Sequence, residues 1–131
     1  MAKRKQKTKA TRSLLVVEDE PNIVVSLRFL MERAGFEVRV APDGEAALQA
    51  INAQHPDVVL LDVMLPKRDG YSVCRAIRER PECADIRIVM LTAKGRVEDR
   101  EMGLAAGADE YVIKPFSTRD LVQTVLTLVE A

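Results

Sequence analysis

Val58-Val59-Leu60-Leu61 runs four aliphatic residues straight into an acid, Asp62, whereas Phe36-Glu37-Val38-Arg39-Val40 alternates strictly between apolar and charged residues. A short, continuous apolar run reads as a strand buried on both faces, and strict alternation as a strand with one face open, which belongs at a sheet edge. Leu14–Val17 and Ile86–Leu91 are of the continuous kind, and Tyr111–Ile113 supplies a fifth strand. Amphipathic stretches of helical length lie between and after them, near residues 21–34, 43–53, 70–80, 96–106 and 117–130. Pro21 suits a first helical position and Asp43 an N-cap; Ser117 followed three residues later by Asp120 resembles a capping box, and Gly35 and Gly107 mark helix ends. Strand and helix in regular alternation predict an α/β fold: one five-stranded parallel sheet, doubly wound by five helices. With the second strand at the edge, right-handed crossovers predict the order 2-1-3-4-5, the direction of winding reversing between strands one and three.

Ligands of such sheets bind at the carboxyl ends of the strands beside that reversal. Strand one runs into Glu18-Asp19-Glu20, strand three into Asp62, strand four into Thr92 and strand five into Lys114, all on the same sheet edge. Carboxylates gathered at one point repel one another unless a cation neutralises them. All-oxygen ligation selects a hard ion, and few protein ligands with room for waters and a phosphoryl oxygen suit Mg²⁺. Asp62 then becomes a carboxylate able to attack a phosphoryl group and form an acyl phosphate, with Lys114 and the Thr92 hydroxyl meeting the phosphoryl oxygens. Taken singly each residue has an ordinary explanation. The acids after strand one suit a helix N-terminus, Asp62 a loop, Thr92 a turn and Lys114 a solvated strand end. An acid group, an acid, a hydroxyl and an amine on four strand ends in that order are much harder to explain separately.

LLVVEDE (14–20), VVLLDVMLPKRDG (58–70), IVMLTAK (88–94) and GADEYVIKPF (107–116) together resemble the receiver domain of two-component response regulators, from Leu14 to about Val129. The resemblance implies a flavodoxin-like fold and a phosphoacceptor, Asp62, that takes its phosphoryl group from a histidine kinase or a histidine phosphotransfer protein. It implies Mg²⁺ bound by Asp19, Asp62 and the main-chain carbonyl of Met64, with Glu18 acting through water. Thr92 and Lys114 would bind the phosphoryl group, Thr92 and Tyr111 would form the switch, and the Lys114-Pro115 peptide would be cis. The readout would be the face made by the fourth helix, fifth strand and fifth helix, with the chain a monomer or a weak dimer through it. Such a protein is a signalling switch that assists only its own phosphorylation and dephosphorylation, not an enzyme. Two positions depart from the family's common pattern. Met64 and Lys94, two residues beyond Asp62 and Thr92, offer neither base nor amide to an attacking water, which predicts a long-lived phosphorylated form. On the output face Arg100, Asp109, Glu110 and Asp120 resemble an ion-pair set used for dimerisation, but Ala105 and Thr124 stand where charges are usual.

Two enzyme-like alternatives fit less well. A haloacid-dehalogenase-like phosphatase wants a second acid where Met64 stands, and a flavodoxin-like cofactor binder wants a Gly- or Ser-rich phosphate cradle where Glu18-Asp19-Glu20-Pro21 would repel an anion. A receiver-like binding module that is never phosphorylated is the third reading, but every acceptor-site residue is present.

The 131 residues fit one domain, 47% apolar and only 4% aromatic, so the core is aliphatic. Net charge is zero, yet six basic residues and no acid fall in the first twelve, leaving 14 basic and 20 acidic residues for the rest. Residues 1–12 read as a basic, flexible tail ahead of a receiver domain over 13–131; such an arm could touch nucleic acid, anionic lipid or an acidic partner, or simply be solvated. No aromatic residues interleave its lysines and no helix-turn-helix pattern follows, so sequence-specific DNA binding by this chain alone is not expected. There is no membrane-length apolar run and no secretory signal, which predicts a cytoplasmic protein with Cys74 and Cys83 as free thiols. His55, the one histidine, reads as a surface residue.

Overall fold

A computed structural model describes residues 11–130. Five strands, β1 (Ser13–Val17), β2 (Glu37–Ala41), β3 (Val58–Asp62), β4 (Arg87–Thr92) and β5 (Glu110–Ile113), alternate with five helices, α1 (Pro21–Arg33), α2 (Gly44–Ala53), α3 (Gly70–Arg78), α4 (Val97–Ala106) and α5 (Thr118–Glu130). All strand pairs are parallel and the order is β2-β1-β3-β4-β5, the topology the strand patterns predict. Boundaries differ by a residue or two. β2 and β4 each start and end one residue later than expected, α3 stops at Arg78, and a single 3-10 turn at Pro81–Cys83 carries the chain toward β4. Pro81 explains the stop, since a proline disfavours helical geometry in the residue before it.

Side-chain alternation along β1, β3 and β4 divides the core in two. Leu15, Val17, Val59, Leu61, Ile88 and Met90 pack with Ala47 and Ile51 of α2 and with Val73, Cys74 and Ile77 of α3. On the other face Leu14, Val16, Val58, Leu60, Val89 and Leu91 meet Leu27 and Met31 of α1 and Leu121 and Val125 of α5. Both cores draw on the same central strands, which is why these read as unbroken apolar runs.

Helix starts follow side-chain chemistry. Asp43 accepts from the Ala46 N–H at 2.8 Å, Asp69 from Ser72 at 3.0 Å and Ser117 from Asp120 at 3.2 Å, each satisfying an otherwise orphaned donor. The edge strand holds a surprise: Arg39, read from its alternation as a solvent-facing charge, is half-buried and donates to the carbonyls of Ala50 at 3.0 Å and Gln54 at 2.6 Å. It caps the C-terminus of α2, where a cation also meets the favourable end of the helix dipole. Replacing Arg39 with Met, which keeps the aliphatic stem, should lower unfolding stability by about 1–2 kcal/mol; an unchanged urea midpoint would contradict this role.

Cys74 and Cys83 are free and buried. Burial pushes the Cys74 thiol up to about 11, with Arg78 partly opposing. His55 is exposed, its Nε2 3.8 Å from Cys83 Sγ. Among the described residues no helix is long and apolar enough to cross a membrane. The basic segment over residues 1–12 lies, but for Thr11 and Arg12, outside the described residues; the Arg12 carbonyl accepts from the Glu37 N–H at 2.9 Å.

Candidate functional site at the carboxyl edge of the sheet

Register brings the strand ends level. Val17 lies beside Leu61, Asp62 beside Leu91 and Thr92 beside Ile113, so the residues that follow β1 and β5 meet the last residues of β3 and β4. Glu18, Asp19 and Asp62 each offer a carboxylate oxygen within 4.8 Å of the others. Lys114, 96 residues from Glu18 in the chain, places Nζ 3.0 Å from Glu18 Oε1 and 3.5 Å from Asp62 Oδ2. The Lys114 main chain is held as well: its N–H donates to the Thr92 carbonyl at 2.7 Å, and the Lys114-Pro115 peptide is cis.

The three acids after β1 divide their labour. Glu20 is the N-cap of α1 and accepts from the Asn22 N–H at 2.9 Å, the helix-start role that all three could have filled. Glu18 instead turns inward and is 2% exposed, while Asp19 remains exposed beside it. Burial raises the Glu18 carboxyl above the usual carboxylate range; the bonds from Lys114 and the Glu20 N–H oppose this, and the nearby Asp62 charge adds to it. Asp62 is 6% exposed and its Oδ1 accepts from the Met64 N–H at 3.1 Å. Three carboxylates and one ammonium leave an excess of negative charge in a largely buried place, and the donors are all oxygen. That set fits a hard divalent cation.

Thr92 is fully buried and its Oγ1 accepts from the Lys94 N–H at 3.0 Å. Tyr111, also buried, donates its hydroxyl to the Lys94 carbonyl at 2.9 Å. The two peptide groups of Lys94 thus hold both residues. Burial pushes the Tyr111 phenol well up, and the neighbouring Tyr71 phenol adds to this. Asp109, half-buried, pairs with Arg78 at 2.9 Å and accepts from the Ile88 N–H at 2.8 Å. Arg100 donates to the Tyr111 carbonyl at 3.2 Å. Glu110 and Asp120 line a groove with Gln123 and Thr124. Sequence reasoning missed Arg78, whose guanidinium also reaches the carbonyls of Gly107 and Ile86; nothing local to residue 78 announces it.

A doubly wound parallel sheet with clustered carboxylates, a buried hydroxyl and a lysine at its carboxyl edge defines a class of α/β proteins built around an acidic site. The particular family follows from comparison: residues 14–126 match the response regulator receiver domain, and the chain belongs to that family. It is 47% identical over 117 residues to the ycf27 transcriptional regulator of Cyanophora paradoxa, covering 89% of this chain and 48% of that protein. The chain therefore spans about half the length of this curated relative. A response-regulator structure from Chloroflexus aurantiacus superposes with TM-score 0.89 at 38% identity, covering 93% of this chain and all of that one. The receiver domain of the sensor histidine kinase PA1611 from Pseudomonas aeruginosa, solved with a magnesium ion in its active-site cleft, gives 0.86 at 32% identity, covering 93% and 100%.

Proposed function

We propose that this chain is a phosphorylation switch: Asp62 accepts a phosphoryl group from a histidine kinase or a histidine phosphotransfer protein, with Mg²⁺ bound beside it. The observation that carries the reading is the placement of Lys114 Nζ between Glu18 and Asp62, in contact with both. Asp19, Asp62 and the Met64 main-chain carbonyl would hold the ion, with Glu18 acting through water; the clustered carboxylates and the magnesium seen in the PA1611 receiver support this choice of metal. When bound, Mg²⁺ offsets the charge of the acids and of the incoming phosphoryl oxygens. An Asp62 carboxylate oxygen bonds to phosphorus as the P–N bond of phosphohistidine breaks, and the electron pair returns to the imidazole, which takes up a proton. Lys114 and the Thr92 hydroxyl receive the phosphoryl oxygens.

The new charge draws the Thr92 hydroxyl inward and away from the Lys94 N–H, and the Tyr111 ring enters the space that it leaves, giving up its bond to the Lys94 carbonyl. The face built by α4, β5 and α5 then reports the change to a partner. The chain turns over no external substrate, reads no DNA sequence on its own and works in the cytoplasm, as a monomer or a weak dimer through that face. The test is intact mass after incubation with acetyl phosphate: a gain of one phosphoryl group that requires Mg²⁺. No gain with Mg²⁺ present would defeat the proposal.

The phosphorylated form should persist. Met64 is 60% exposed at the mouth of the site and Lys94 is exposed beyond Thr92; neither a thioether nor an ammonium can take a proton from attacking water. After removal of the phosphodonor, the mass adduct is expected to decay over minutes or longer, and decay within seconds would contradict this.

A further inference from the structure

α4 buries no large apolar side chain of its own. Its buried positions are Asp99, Gly103 and Ala106, while Val97 and Met102 are more than half exposed. Nor does any side chain cap its N-terminus. Since packing of an apolar face is what ordinarily holds a helix to a sheet, α4 must be held by what its neighbours bring to it.

Two phenols contribute to that. The Tyr111 ring fills the space left by Gly103, where an added methyl would stand 2.7 Å from its Cδ1. From the other side Tyr71, in the first turn of α3 and 6% exposed, donates its hydroxyl to the Asp99 carbonyl in the first turn of α4 at 3.3 Å. The two rings belong to one buried cluster. Tyr71 also lies nine residues beyond Asp62, the last residue of β3, and Gly70 beside it donates its N–H to the Val63 carbonyl at 2.9 Å.

We infer that Tyr71 is a positioning residue of the switch: its hydroxyl pins the first turn of α4 to α3, so that a change at Tyr111 moves the helix as a unit instead of fraying its start. This rests on the proposed phosphorylation switch and adds to it a contact on the α3 side, away from the face taken to be the output.

Tyr71→Phe keeps the ring in the core and removes only the hydroxyl, so the variant is expected to fold. Amide hydrogen exchange is read for wild type and variant, with and without acetyl phosphate and Mg²⁺. Without phosphodonor, residues 97–101 should exchange about tenfold faster in the variant while β1 and β3 do not change, the mark of a local opening. With phosphodonor, the wild type should show a shift in α4 exchange that the variant loses, although Asp62 still gains its adduct. Unchanged α4 exchange in the variant would overturn the inference, as would faster exchange spread evenly over the strands, which marks a merely structural hydroxyl. An adduct on the wild type without any response in α4 would overturn it too. Failure of the phosphorylation reading is separate, since it appears as a wild type without adduct, and the comparison without phosphodonor still decides what Tyr71 holds.

Discussion

Asp62→Asn is expected to take up no phosphoryl group from acetyl phosphate under conditions that label the wild type, a loss of more than about 10³-fold in rate of the kind that follows removal of a reacting group. The amide is neutral, so it is a poor nucleophile and a weaker ligand for a hard cation. It is also nearly the same size, and this makes the result interpretable. Asp62 is 6% exposed with backbone from Met64 bonded to Oδ1, and an amide oxygen can keep that bond. Charge is what changes. Asp62 is one of the causes that raise the neighbouring Glu18 carboxyl, so the variant relieves repulsion while weakening one contact of Lys114. Its thermal midpoint should therefore stay close to that of the wild type. A normally folded Asp62→Asn protein that still gained a Mg²⁺-dependent phosphoryl group would place the acceptor elsewhere and remove the basis of the proposed function.

Gly70→Ala should be strongly destabilising. An added Cβ would stand 2.5 Å from the Asp62 carbonyl oxygen and 2.7 Å from Val63 Cα. Both are main-chain atoms at the end of a central strand, so no rotamer change can make room. Either β3 bends where it presents Asp62, or α3 backs away and exposes part of the layer formed by Tyr71, Val73, Cys74 and Ile77. A cost of about 3 kcal/mol or more is expected, equivalent to a fall of roughly 10 °C or more in Tm for a domain of this size. Gly95→Ala is the matched control. Its Cβ would meet only Ile113 side-chain atoms at 3.6 Å, ordinary contact, and the change should stay within about 0.5 kcal/mol. Equal stabilities for the two variants would show that β3 and α3 do not approach as closely as described.

Parts of the site could be read before any fold was known because they repeat at strand ends. Asp62 closes an aliphatic run, Thr92 another, and Lys114 follows a third; once the runs are recognised as parallel strands, their last residues must share an edge. The edge position of β2 was equally open to reading, because alternation reflects which faces are covered. Other features left no such trace. Arg39 alternates like a surface charge yet caps α2 through carbonyls 11 and 15 residues away. Asp109 pairs with Arg78, 31 residues earlier, and nothing local to either residue announces it. Glu18 and Glu20 are chemically alike and two residues apart, and only the direction of the chain entering α1 decides which caps the helix and which faces Lys114.

The amino-acid order by itself determined the strand inventory, the sheet order and the set of reactive groups at one edge, since hydrophobic period and the chemistry of strand ends are local properties of the chain. Tertiary packing alone decided which distant polar groups pair, as with Lys114 on Glu18, Arg78 on Asp109 and the Tyr71 hydroxyl on the Asp99 carbonyl. Hydrogen bonds made by side chains need their atoms within about 3 Å and in line, and for partners from 28 to 96 residues apart that condition is set by how helices seat on the sheet and by no feature near either residue.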